Sequence, residues 1–99
     1  MISMYARIHT HGNERILAAC DEDVMGLTFE GGGARIRISE AFYGTESITA
    51  EAFVERMKSV TIMNLVGEEV IALAIAEGKV SPDCVMEIGG VKHAQVVLL

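Results

Sequence analysis

The chain begins with an alternation. In residues 3–9, "SMYARIH", Met4, Ala6 and Ile8 interleave with Tyr5, Arg7 and His9. A period of two puts the first set on one face of an extended strand and the second on the other, so this stretch reads as a half-buried strand. "THGN" at 10–13 is rich in turn residues, and "ERILAAC" at 14–20 returns as a second strand, completing a hairpin. "DEDVMG" at 21–26 runs from polar through apolar to glycine and fits one helical turn or a tight loop. Two more strands are expected at 27–30 and 34–39, joined by the glycines at 31–33. In the second of these, Ile36 and Ile38 fall on one face and belong to the core. Arg35 and Arg37 fall on the other, towards solvent or a ligand.

The period then changes. "EAFYG" at 40–44 is a connector with room for a helical turn. Thr49 suits a helix N-cap, Ile48 and Phe53 fit a hydrophobic staple across it, and Glu51 lies where the helix dipole favours an acid. With Phe53, Val54 and Met57 as its apolar stripe, this helix runs over 50–58. Residues 61–77, "TIMNLVGEEVIALAIAE", read as a second helix over 62–77 with Gly78 as its stop. Val70 to Ala76 is apolar nearly all round, as in a buried helix. Thr61, Asn64 and Glu68, spaced three and four apart, then share one side, either as caps and supporting partners or as a pocket rim. Gly67 inside a helix costs about 1 kcal/mol relative to alanine, and a close approach by another backbone would explain it. "SPDC" at 81–84 turns the chain. A short strand at 85–88, a turn at Gly89 and Gly90 and a last strand at 92–99 complete it. Strands first, helices next and a closing strand predict an α+β fold: a mainly antiparallel sheet of roughly four to six short strands with both helices on one face.

Composition narrows the function. Ninety-nine residues make one domain, residues 1–99, large enough for a core without staples. With 51% hydrophobic and 22% charged residues the chain is globular rather than disordered. A formal net charge of −6 argues against DNA or any nucleic acid bound by the whole surface, but leaves room for a local basic patch. The acids gather in two clusters, Asp21, Glu22 and Asp23, then Glu51 and Glu55. No apolar run approaches the ~20 residues of a membrane span, and "MISMYARIHT" lacks a signal-peptide core. A cytoplasmic protein with no membrane partner is expected. Cys20 and Cys84 are spaced like neither a disulfide framework nor a zinc ribbon, and both read as small buried thiols.

Candidate chemistry is sparse. A weak metal constellation is His9, His11 and Cys20, with His93 or Cys84 to complete it, but no pair has a strong ligand spacing, so no metal and no cofactor is expected. The Gly31–Gly33 loop precedes a strand and lacks a Walker lysine or a dinucleotide fingerprint. A plain hairpin loop is the simpler reading, while Arg35 and Arg37 beside free backbone donors would make an anion or RNA-phosphate seat. Catalysis by Cys20 or Cys84 with His93 requires the fold to bring them together, and no orienting third group is evident. In "MEIGGVKHAQVV" at 86–97, His93 and Gln95 share a strand face, Lys92 points the other way, and Val91, Val96 and Val97 are left for packing. Asn64 suits a ligand amide or ribose, and Glu68 an ion pair with Arg35, Arg37 or Lys92.

"AACD" at 18–21, "SEAFYG" at 39–44, "TIMNLVGE" at 61–68 and "IGGVKHAQVV" at 88–97 together resemble the small archaeal family known as domain of unknown function 424, over nearly the whole chain. The family often has proline where this chain has Lys92, which moves weight to His93 and Gln95. The resemblance implies a stand-alone archaeal protein of this length with a link to translation. It implies no mechanism. It groups Phe42, Tyr43, Gly44, Asn64, Gly67, Gly89, Gly90, His93 and Gln95, a set better suited to recognition than to acid–base chemistry. The expectation is a non-enzymatic binding module, accessory to translation or RNA metabolism, engaging a protein partner or a limited stretch of RNA through Arg35, Arg37, Tyr43, Asn64, Glu68, His93 and Gln95. The alternatives are a small metal or Cys/His enzyme, and a structural homodimer that pairs the "VVLL" edge.

Overall fold

The computed structural model describes residues 3–98. They form strands β1 (Ser3–His11), β2 (Glu14–Asp21), β3 (Thr28–Gly31), β4 (Ala34–Arg37), β5 (Ser47–Thr49), β6 (Ile62–Val66), β7 (Met86–Ile88) and β8 (Val91–Val97), and helices α1 (Glu40–Tyr43), α2 (Ala50–Met57) and α3 (Glu68–Ala76). The fold is α+β. Six strands make one sheet in the order β5-β1-β2-β6-β8-β7, antiparallel everywhere except the parallel pair β2–β6. The pair β3–β4 forms a separate antiparallel hairpin. Among the described residues no helix is long and apolar enough to cross a membrane.

The helix expected over 62–77 is two elements. Residues 62–66 are the strand β6, inserted between β2 and β8, and the helix begins only at Glu68. A central strand is covered on both faces, so its apolar positions run together instead of alternating, and "IMNLV" then mimics the start of a buried helix. Thr61, Asn64 and Glu68 therefore do not share a side. The final strand ends at Val97; Leu99, included in the expected strand, lies outside the described residues.

Each face of the sheet has its own cover. On the helix face, Met4, Ala6, Leu17, Ala19, Met63, Leu65 and Ala94 pack with Phe53 and Met57 of α2 and with Val70, Ile71 and Ala74 of α3. Helix α2 starts as the sequence indicates: Thr49 Oγ1 accepts Ala52 N–H at 3.1 Å, and Ile48 is buried in the same cluster as Phe53. On the opposite, hairpin face, Ala18, Cys20 and Val66 pack with Val24, Ile38 and Tyr43, partly roofed by Phe29 and Ile36 of the hairpin.

Two glycine contacts set this architecture. Gly31, at the end of β3, lies against the β7–β8 turn so closely that a Cβ would sit 2.7 Å from Gly89 N, and a Cβ on Gly89 would meet Glu30 O at 2.6 Å. The two glycine-rich loops noted in the sequence are thus packing partners that clamp the hairpin onto the sheet. Gly67, between β6 and α3, has φ +121°, and a Cβ there would collide with the Asp21 carboxyl. The close neighbour is thus a side chain, not a backbone as the sequence suggested. Asp21 is not part of a surface cluster. It is 6% exposed and accepts Glu69 N–H at 2.9 Å on Oδ2 and Val70 N–H at 3.0 Å on Oδ1, capping α3 across 48 residues of sequence. Burial pushes its carboxyl up, while those two N–H donors pull it down.

Candidate functional site

Strand register places the candidate residues. In β1 the positions Tyr5, Arg7 and His9 face the hairpin side. Tyr5 pairs with Cys20, Cys20 with Val66, Val66 with His93 and His93 with Met86, one row across the sheet. The next row is Arg7, Ala18, Asn64 and Gln95, and the one after is His9, Ile16, Ile62 and Val97. The first row lies under the hairpin and α1. The last two are more open: Ile16, Ile62 and Asn64 are half-buried and Gln95 and Val97 exposed, although Ala18 in the middle of the second row is fully buried. Val97, expected in the core, is 65% exposed and Met86 beside His93 is 58% exposed. Val97 lies in the row farthest from the hairpin, and Met86 at the outer end of the covered row.

Polar groups frame this open half. Tyr43 sits at the end of α1, whose N-cap Ser39 accepts Phe42 N–H at 3.3 Å. Its hydroxyl donates to Asn64 Oδ1 at 2.7 Å, which leaves the Asn64 amide N–H groups available on the sheet floor. Burial, with a smaller contribution from nearby Cys20, pushes the Tyr43 phenol up, so it stays a neutral donor. Arg7 donates to Ala41 O at 3.0 Å and His9 Nε2–H to Phe42 O at 2.7 Å, while the His9 and Phe42 rings stack at 5.0 Å. The polar face of β1 thus supplies cations and donors to the carbonyls of a short helix. This makes α1 a fixed wall, not a flap.

The site set from the sequence is split by the fold. Tyr43, Asn64, His93 and Gln95 lie on the hairpin face. Glu68 lies on the helix side and accepts a hydrogen bond from Lys92 Nζ at 3.0 Å, the pairing expected for Lys92 out of three weighed. Arg35 and Arg37 project from the outer side of β4, with Arg35 3.4 Å from Glu30 in an exposed pair. Thr61 ties the starts of β2 and β6 together, accepting Arg15 N–H at 3.0 Å and donating to Glu14 Oε2 at 3.0 Å.

The catalytic and metal alternatives gain no geometry. Cys20 and His93 share a row, but Val66 stands between them, a separation of about 10 Å across two strand spacings. Burial, then the charges of Asp21 and Asp23, push the Cys20 thiol up to about 12, far from a thiolate nucleophile. Cys84, expected to be buried, is exposed, because the turn at Pro82–Cys84 lies outside the sheet. Among the described residues neither ring nitrogen of His93 has a hydrogen-bond partner although both are shielded, and burial holds its pKa below the ordinary value. His9 is committed to Phe42 O, His11 is exposed at the end of β1 opposite Glu14, and no three His, Cys, Asp or Glu groups converge among the described residues. The sequence reading missed Asp21 and the apolar row Ile16, Ile62 and Val97. An acid closing an apolar strand and a glycine immediately before "EEV" were the only signals for the first. The second needed β6 to be seen as a strand.

The family described as "Protein of unknown function (DUF424)" matches residues 8–99. A crystal structure of an uncharacterised conserved protein from the archaeon Methanopyrus kandleri is similar, with a TM-score of 0.84 and 28% identity, over 98% of this chain and 92% of that one. No curated protein matches the chain.

Proposed function

This chain belongs to the DUF424 family of proteins of unknown function, and on that premise we propose that it is a non-enzymatic binding module, an accessory of cytoplasmic translation or RNA metabolism, that holds a protein partner on the open half of its hairpin face. One observation carries the reading. The uncovered rows combine amides, Asn64 and Gln95, with apolar Ile16, Ile62 and Val97, beside a wall fixed by Arg7, His9 and Tyr43. A mixed amide and apolar floor of this kind suits a polypeptide, which presents both characters.

The disposition of charge favours protein over RNA. Of eight Lys and Arg residues, Arg35, Arg56, Lys58 and Lys92 stand beside carboxylates, while Arg7 and Arg15 donate to backbone carbonyls. Only Arg37 and Lys79 have neither kind of partner among the described residues. Little positive potential is left for phosphate, and the net charge of −6 favours a cationic protein surface. The test is association with tRNA and with ribosomal subunits across a salt series. Free tRNA is expected to stay unbound even at low salt, and any association with subunits to be lost with Gln95→Ala/Val97→Ser. Binding of tRNA with a steep salt slope contradicts the reading.

A further inference from the structure

The open face runs to an open edge. In the β6–β8 ladder, Lys92 O accepts Gly67 N–H at 2.9 Å and Leu98 N–H donates to Thr61 O at 2.7 Å. Even-numbered residues of β8 therefore turn their backbone groups towards β6, and odd-numbered ones turn theirs outward. The outer side is occupied by β7 at Val91 and His93, through the pairs Ile88–Val91 and Met86–His93. Before Met86 the chain leaves the strand through the Pro82–Cys84 turn. The N–H and C=O groups of Gln95 and Val97 thus face outward, and among the described residues no strand pairs with them. Two of the large exposed apolar side chains, Met86 and Val97, flank this gap.

An unpaired edge of this kind is a template for an added strand. The charge around it selects the occupant. Glu87 and Asp83, at the adjoining β7 and turn, are exposed and form no ion pair among the described residues, and the chain as a whole carries −6. A second copy carries the same net charge of −6, and that long-range repulsion opposes self-pairing. We propose that the β8 edge at Gln95 and Val97 takes an extended, cationic segment of a partner protein as an added antiparallel strand, with apolar side chains at alternate positions covering Met86 and Val97. This names the partner chemistry of the open hairpin face and rests on that reading. The segment's backbone is held by β8, and one face of it continues the floor made by Asn64 and Gln95.

The probes are three six-residue peptides, acetylated and amidated: alternating lysine and valine, alternating glutamate and valine, and the lysine peptide with a central proline. They are titrated into isotope-labelled protein while amide exchange is followed. The lysine–valine peptide is expected to slow exchange at the Gln95 and Val97 amides, and the other two are expected not to. Val97→Pro removes one outward N–H without touching the β6 ladder, and is expected to weaken the lysine–valine peptide about tenfold with the spectrum otherwise intact. Unchanged exchange at both amides, equal binding of the glutamate peptide, or protection that appears with protein concentration alone and so reports self-pairing, each overturns the proposal. If the Gln95→Ala/Val97→Ser variant still loses its subunit association while these amides stay unprotected, the edge fails and the binding face stands. If both results are negative, the binding reading itself falls.

Discussion

Asp21 and Gly67 constrain one another closely. The carboxylate satisfies two N–H groups at the start of α3 that otherwise have no partner, and the glycine leaves the space it occupies. Asp21→Ala is expected to lower stability in urea unfolding by about 2–4 kcal/mol, the cost of two buried unsatisfied donors. Gly67→Ala adds a collision to a backbone strained for any L residue, and is expected to cost at least as much, about 3 kcal/mol or more. Wild-type stability in either variant would refute this cap. His93 makes a pH prediction. Burial holds its folded pKa below the unfolded value, so as pH falls the unfolded chain takes up the proton first. Its contribution is complete at neutral pH and is lost as pH drops through about 6.5 towards the folded value. Melting temperatures between pH 7 and pH 5 should therefore fall less steeply in His93→Leu than in wild type, and parallel curves would contradict it.

At the scale of elements, several local signals in the sequence match the structure, although Val97 and Cys84, expected to be buried, are exposed. The Thr49 cap, the Ile48–Phe53 staple and the alternation in β1 are all local, and all stand in the structure. The Schellman end of α3 is local too: Gly78 N–H donates to Ile75 O and Lys79 N–H to Ala74 O, each at 2.9 Å, as the glycine stop implied. β6 was hidden because its nature depends on being enclosed by β2 and β8, which five residues of sequence do not reveal. The site divides the same way. That His93 and Gln95 share a face follows from period two, but the Tyr43–Asn64 bond depends on a register between distant segments. Tyr43→Phe is expected to cost about 1 kcal/mol for that bond, seen in denaturant midpoints, and to free the Asn64 carbonyl. The hairpin clamp gives another check. Gly31→Ala is expected to speed amide exchange in β3 and β4 while leaving β2 and β6 protected, because only the Gly31–Gly89 contact is disturbed. Uniform loosening of the whole sheet would refute the clamp.

For the whole molecule, the two faces of one sheet have unequal fates. The helix face is closed by α2 and α3 and supports the fold. The hairpin face is closed by the hairpin, clamped through Gly31 and Gly89, and by Tyr43 of α1 beside Asn64, while Ile16 and Ile62 are half-buried and Gln95 and Val97 exposed beyond them. Most of the few basic side chains are engaged internally, and the acids dominate the exterior. Under the proposed reading, a surface so charged is expected to disfavour phosphate and to attract cationic protein by a long-range force that weakens with salt. The most direct measurement is capture from an archaeal lysate with and without nuclease, comparing immobilised wild type with Gln95→Ala/Val97→Ser, two exposed substitutions that leave the core intact. Captured proteins are expected to survive nuclease and to disappear with the variant; capture that vanishes with nuclease, or that the variant retains in full, contradicts a protein-binding hairpin face.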